Sequence, residues 1–160
     1  MEGRTYRYYR GQPLFAFGHG LSYTTFAYDD LRVTPSDISP GSEAAVSATV
    51  ANTGDRSGDE VVQLYIRHRD ASVPRPIQEL KGFARVSLRP GERKTLTFTL
   101  GAGQLGVYDG AMQHVVQPGT VEVMIGSSSD NIKLKGELRI SGTTAMPVEE
   151  RVFFFPVHID

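Results

Sequence analysis

Cysteine and tryptophan are both missing from the 160 residues of this chain. Without cysteine there are no disulfides, no thiolate metal sites and no cysteine nucleophiles. This absence leaves the redox compartment undetermined. Without tryptophan the chain lacks the largest flat aromatic side chain for stacking on a sugar ring.

An excess of charge of one sign is also lacking, since 17 Lys and Arg residues oppose 18 Asp and Glu residues. The basic residues are scattered, which argues against nucleic acid or an anionic membrane as a partner. No run approaches the roughly 20 apolar residues that a membrane helix needs. Residues 1–6 show no basic start followed by an apolar run, so we expect any export signal of a parent protein to lie upstream. The parent's compartment stays open between cytoplasm, periplasm and exterior.

An alternation of apolar and polar residues dominates the chain from residue 44 onward. This period of two is typical of half-buried antiparallel strands. With an opening strand that buries Leu31 and Val33, the predicted strands are 31–33, 44–51, 62–67, 80–88, 95–100, 121–125 and 132–140. Ala102–Leu105 predicts one helical turn, and a bulge is expected at Gly82. About seven short strands with Gly, Pro, Asn and Asp turns predict an all-β fold, an immunoglobulin-like or fibronectin type III-like antiparallel β-sandwich.

The sequence divides into three parts. We predict an irregular N-terminal segment at 1–26, a β-sandwich at 27–142 and a C-terminal tail at 143–160. The tail contains the aromatic run Arg151–Pro156, which would be a liability if left exposed. We therefore expect the tail to pack on the domain as an extra edge strand or to pack on another chain.

A glycine- and aromatic-rich stretch, Pro13–Phe26, lies within the N-terminal segment, and we call it the docking strip. Its apolar side chains are too many to be left in water, while Gly18 and Gly20 permit backbone angles that side chains forbid. We expect the strip either to fold back on the sandwich or to meet a second copy of the chain. The candidates for domain docking are Phe15, Phe17, His19, Leu21 and Tyr23.

His19 has two readings. One is a contact to a sugar or to another domain, and the other is a histidine packed beside Phe17 and Tyr23 with backbone partners. For this chain without other domains, we favour the packed histidine. Tyr6, Tyr8 and Tyr9 are likewise predicted to pack rather than to stack sugars.

Seven stretches together resemble, in their order, the C-terminal region of glycoside hydrolase family 3 enzymes. They are Pro13–Phe26, Asn52–Asp55, Gly58–Tyr65, Val73–Pro76, Glu79–Phe83, Leu88–Glu92 and Pro118–Gly119. The similarity runs from about residue 4 to residue 141, and Gly3–Tyr9 is most similar to the β-xylosidase branch. Such an ordered set is far more specific than any single motif.

The resemblance implies a fibronectin type III-like third domain, which follows a (β/α)8-type barrel and an α/β sandwich. Residues 1–26 would then come from the end of the α/β sandwich. Those enzymes release terminal β-D-glucosyl or β-D-xylosyl residues with retention, using a barrel aspartate and usually a second-domain glutamate. Both residues belong to sequence outside this chain. The resemblance thus implies a non-catalytic accessory domain, inactive alone, that braces its parent's catalytic domains, with carbohydrate near the joint. The alternative is an independent carbohydrate-binding or adhesion module, and a homodimer through the docking strip stays open.

No residue of the chain itself predicts catalysis. Retaining hydrolysis needs two carboxylates about 5 to 5.5 Å apart, whereas Asp29–Asp30, Asp59–Glu60 and Glu149–Glu150 are adjacent pairs that we expect to be solvated. His68, His114 and His158 have no metal-ligand spacing. Ser127–Asp130 lacks a nucleophile elbow and predicts a hairpin turn. We therefore predict no catalytic, cofactor-binding or metal-binding residue and no cofactor.

Overall fold

A computed structural model describes residues 3–70, 75–142, 146–147 and 156–160. The described residues form twelve strands, one short helix and one 3-10 turn. These are α1 (Thr5–Tyr8), β1 (Phe26–Thr34), β2 (Asp37–Ile38), β3 (Glu43–Asn52), β4 (Gly58–His68), β5 (Glu79–Leu88), β6 (Arg93–Gly101), the 3-10 turn (Ala102–Leu105), β7 (Val107–Tyr108), β8 (His114–Val116), β9 (Gly119–Gly126), β10 (Ile132–Ile140), β11 (Met146–Pro147) and β12 (Val157–Ile159).

Two sheets build the β-sandwich. One has the strand order β1-β3-β6-β12 and the other has the order β2-β10-β9-β4-β5, while β11, β8 and β7 form a small third sheet. The pairs between the long strands are antiparallel. The seven long strands coincide with the seven predicted ones, so the all-β sandwich is confirmed.

The core follows the predicted alternation in most strands. In β6 the side chains of Leu96, Phe98 and Leu100 are fully buried, while the threonines between them are only half-buried. Leu64 and Ile125 meet them from the five-stranded sheet in one hydrophobic cluster. Burying each such side chain contributes about 1.5–3 kcal/mol, which makes this cluster the main source of stability.

Strands β4 and β9 depart from the alternation, because both are buried without interruption over Val62–Ile66 and Val121–Gly126. The inner faces of these strands contact the core. Tyr65 lies directly opposite Met124 on the outer face, yet both side chains are inaccessible to solvent. A second layer therefore covers the outer face of the five-stranded sheet, and the N-terminal segment supplies part of it.

The edges of the sandwich carry further details. The register between β4 and β5 shifts so that Lys81 is the extra residue, next to Gly82 where the sequence predicts a bulge. Strand β12 pairs antiparallel with β6 as the edge of the four-stranded sheet. Residues 148–155, with most of the aromatic run and Glu149–Glu150, lie outside the described residues, as do residues 71–74, which include the first two positions of the Val73–Pro76 motif. In the described part of the chain, no helix has the length and apolar character to cross a membrane.

Candidate docking site

The N-terminal segment packs on the outer face of the five-stranded sheet through its aromatic rings. Tyr6 stacks on Phe17 with ring centroids 4.1 Å apart, and its ring meets Tyr65 edge-on at 6.2 Å. The backbone N–H of Leu80 donates to the Tyr6 hydroxyl at 3.0 Å. The N–H of Ser129 donates to the carbonyl of Phe17 at 2.9 Å. These contacts explain why Tyr65 is buried on a face that the alternation assigns to solvent.

Charged groups attach the same segment to β5. Arg7 Nη2 lies 2.7 Å from Glu79 Oε2, and the Arg7 carbonyl accepts a hydrogen bond from the Ile77 N–H at 2.6 Å. Lys81 Nζ approaches the same carboxylate at 3.5 Å and donates to the Gln104 carbonyl at 2.9 Å. Burial lowers the pKa of Lys81, and Glu79 opposes that shift. Removing Glu79 would leave two cations without their shared partner in a partly buried site.

Gln63 joins the docking strip to the sandwich. Its amide Nε2 donates to the carbonyls of Gly18 at 3.1 Å and Ser127 at 2.6 Å. Its Oε1 accepts a hydrogen bond from the Tyr65 hydroxyl at 2.6 Å. Gly18 has a φ of 79°, and a Cβ at this position would collide with the Gln63 amide. Glycine is therefore required here both for its backbone angle and for the close approach.

Beyond these attachments, the strip projects apolar side chains into solvent. Leu14, Leu21 and Tyr23 are 94–98% exposed, and Phe15 is 74% exposed. Of the two outcomes expected for the strip, folding back on the sandwich is wrong for Phe15, Leu21 and Tyr23, and contact with a second copy stays a prediction. Among the aromatic candidates, Phe17 rests on the domain, where its ring stacks on that of Tyr6 and the Tyr6 ring in turn meets Tyr65.

His19 is exposed, and its ring lies against Phe15 with centroids 5.3 Å apart. The expected packing beside Phe17 and Tyr23 is therefore wrong. The backbone N–H of His19 donates to the Ala16 carbonyl at 3.0 Å, which closes a turn at the tip of the strip. This turn presents His19 and Phe15 together at the surface.

A groove opens between the strip and the sandwich, lined among others by Leu21, Phe26, Glu60, Val61 and Phe83. Val61 and Phe83 are exposed on the outer face of the sheet and extend the apolar surface across β4 and β5. Sequence reasoning missed both residues. The sequence did contain a signal for them, because each is an apolar residue on the strand face that the alternation assigns to solvent.

The comparisons with known proteins agree on one kind of domain. A family model of the fibronectin type III-like domain matches residues 60–129. Thermostable β-glucosidase B of Acetivibrio thermocellus is 46% identical over 142 residues, which is 86% of this chain and 19% of that protein. A β-xylosidase of Formosa agariphila is 45% identical over 130 residues, covering 81% of this chain and 18% of that protein.

A solved structure gives the same result. β-Glucosidase 3B of Thermotoga neapolitana in complex with glucose superposes with a TM-score of 0.79 at 35% identity, over 89% of this chain and 19% of that chain. The chain carries a fibronectin type III-like domain of the glycoside hydrolase family 3 type. It spans about a fifth of the length of these relatives.

Of the adjacent acids Asp59 and Glu60, Glu60 is partly buried, so the expectation that both are solvated is wrong for it. The Tyr28 hydroxyl donates a hydrogen bond to Glu60 Oε1. Burial raises the pKa of the Tyr28 hydroxyl and of the Glu60 carboxyl. Asp59 lies on the opposite face of β4, where hydrogen bonds with Ser87 and Arg85 lower its pKa. The two carboxyls therefore point away from each other, unlike a nucleophile and an acid facing one sugar. Asp29 and Asp30 are exposed, as predicted.

The remaining sequence candidates of the domain lie apart. His158 contacts Asp160 at 2.7 Å, His114 lies beside Tyr108, and His68 ends β4, where burial lowers its pKa to about 3. Among residues that the structure describes, no three His, Asp or Glu side chains are grouped to hold a metal. Ser127–Asp130 forms the predicted turn between β9 and β10.

Proposed function

We propose that this fibronectin type III-like domain is a non-catalytic accessory domain that docks on the catalytic domains of a β-glycosidase and braces them. The parent's reaction would be the retaining hydrolysis of terminal β-D-glucosyl or β-D-xylosyl residues. Phe15, Phe17, His19, Leu21 and Tyr23 are proposed as the docking residues. The observation that carries the proposal is the exposure of Leu21 and Tyr23 on a strip whose base is attached to the sandwich.

Energetic reasoning supports an interface at the strip. Fully burying an apolar side chain of this size contributes about 1.5–3 kcal/mol. Leu14, Phe15, Leu21 and Tyr23 are all left exposed, and Val61 and Phe83 extend the same surface across the groove. Exposed apolar side chains grouped around one groove, such as Leu21, Val61 and Phe83, favour an interaction site. The names of the relatives, β-glucosidase and β-xylosidase, support a glycosidase as the parent.

A chimera tests the proposal, made by replacing the matching region of Acetivibrio thermocellus β-glucosidase B with this chain. The double variant Leu21→Ser/Tyr23→Ser should lower the thermal midpoint of β-glucosidase activity by several degrees, because the apolar contacts to the catalytic domains are lost. Met112→Ser is the matched control, since Met112 is 75% exposed but lies in the turn between β7 and β8. Equal midpoints for the double variant and the unaltered chimera would contradict docking through the strip.

The purified chain tests the non-catalytic part of the proposal. It should release no product from aryl β-glucosides or aryl β-xylosides, and turnover that follows the chain through purification would overturn this claim. Retention of the chain on cellulose or xylan, undiminished by Leu21→Ser/Tyr23→Ser, would instead favour an independent carbohydrate-binding module.

A further inference from the structure

The exposed loop Leu21–Tyr23 lies between two points where the strip is bound by buried amide side chains. On one side, Gln63 Nε2 donates to the Gly18 carbonyl at 3.1 Å. On the other, the Thr24 hydroxyl donates to Asn52 Oδ1 at 2.7 Å. Gln63 and Asn52 are both buried, and each belongs to a long strand of the sandwich.

The orientation of the Gln63 amide follows from its partners. The carbonyls of Gly18 and Ser127 can only accept, so both must face the NH2 group, and the Tyr65 hydroxyl donates to Oε1. Both amide protons and the amide oxygen are thus used. A buried amide satisfied in this way holds one orientation, and with it the position of the Gly18 carbonyl.

Asn52 is fixed by the sandwich in the same way. Its Nδ2 donates to the carbonyls of Arg56 at 2.7 Å and Leu88 at 3.0 Å, while Oδ1 also accepts from the Gly54 N–H at 3.0 Å. The strip contributes only the Thr24 hydroxyl to this set. The Asn52 amide would therefore keep its place if that hydroxyl were removed.

We propose that Gln63 and Asn52 are positioning residues that hold the loop Leu21–Tyr23 in its docking conformation before the partner is met. The partner is the catalytic part of the glycosidase, presenting an apolar surface to Leu21 and Tyr23, so this inference rests on the proposed function. A loop fixed at both ends loses less conformational entropy on docking than a free linker does. The sandwich thus acts on the catalytic domains through the strip that it orders.

Two variants each remove one side-chain attachment, while the hydrogen bond from the Thr53 N–H to the Thr25 carbonyl stays in place. Gln63→Leu keeps a side chain of similar size but loses both donations to the carbonyls and the acceptor of the Tyr65 hydroxyl. Thr24→Val removes only the hydroxyl on the strip side and leaves the Asn52 network in the sandwich. In the isolated chain, each variant should speed hydrogen exchange of strip amides such as His19, while amides of β6 such as Phe98 keep their rates.

The chimera with β-glucosidase B separates positioning from a merely structural role. Each variant should lower the thermal midpoint of activity in the unaltered chimera and have no further effect when Leu21→Ser/Tyr23→Ser is already present. Equal shifts in both backgrounds would overturn the positioning role, with docking through the strip still standing. If Leu21→Ser/Tyr23→Ser alone has no effect, the proposed function fails, and the positioning role fails with it. Thr24→Val decides the matter if Gln63→Leu does not fold.

Discussion

The ring of Tyr6 stacks on that of Phe17 with a centroid distance of 4.1 Å and an angle of 11° between the planes. This pair joins the helical turn α1 to the docking strip and covers Tyr65 of β4. The N-terminal segment is consequently a packed layer of the domain and not a free linker. Its inner side stabilises the sandwich, while its outer side offers Leu21 and Tyr23 to a partner.

Tyr6→Ala should lower the free energy of unfolding by about 2–4 kcal/mol, since it removes the ring stack and exposes Tyr65. Urea denaturation followed by circular dichroism measures this change. Tyr9→Ala is the matched control, because Tyr9 belongs to the same segment but is 44% exposed. A loss for Tyr6→Ala no larger than that of the control would contradict the packed layer.

Gly18→Ala should destabilise the domain by about 1–3 kcal/mol, because the residue must keep a positive φ and its methyl group would collide with the Gln63 amide. Gly20→Ala is the control within the same strip, since a Cβ there would meet nothing within 4 Å. Chemical denaturation of both variants provides the comparison. Equal stabilities of the two would show that the approach of Gln63 to Gly18 is not needed.

Stability should fall as the pH is lowered below about 6.5, the usual pKa of histidine. Burial, assisted by Arg75 and Lys81, lowers the pKa of folded His68 to about 3. The unfolded chain therefore binds more protons between these two pKa values, and the stabilisation present above pH 6.5 is lost progressively toward pH 3. The slope is at most about 1.4 kcal/mol per pH unit.

The test is urea denaturation of the unaltered chain and of His68→Asn at pH 7 and pH 5. His68→Asn should reduce the difference in stability between the two pH values, because the buried imidazole is removed. An unchanged difference in His68→Asn would contradict the role of burial at His68.

Glu60→Gln should stabilise the domain at neutral pH. Burial raises the pKa of folded Glu60 against the opposing hydrogen bond from Tyr28, so its favourable contribution is complete below the unfolded pKa and is lost as the pH rises through the folded value. Glutamine keeps an acceptor for the Tyr28 hydroxyl without a charge to bury. Thermal denaturation at pH 7 checks the direction, and a lower midpoint for Glu60→Gln would be the contrary result.

The strands could be predicted because the burial of their side chains follows a local pattern in the sequence. In β6, Leu96, Phe98 and Leu100 alternate with threonines, and these three apolar side chains are the ones buried in the core. The burial of Tyr65 was not predictable from alternation, since Tyr6, whose ring meets it edge-on, lies 59 positions earlier in the sequence. The docking strip was recognised from its composition, but a pattern of apolar residues does not say whether the covering surface lies in the same chain.

Hydroxyl-radical footprinting of Leu21 and Tyr23 tests docking through the strip most directly. The isolated chain and the chimera with β-glucosidase B are oxidised in parallel, and modification at each side chain is read by mass spectrometry. Met112, which is 75% exposed outside the strip, should oxidise equally in both. The account predicts strong oxidation of Leu21 and Tyr23 in the isolated chain and protection in the chimera. Equal oxidation of the two residues in both proteins would contradict it.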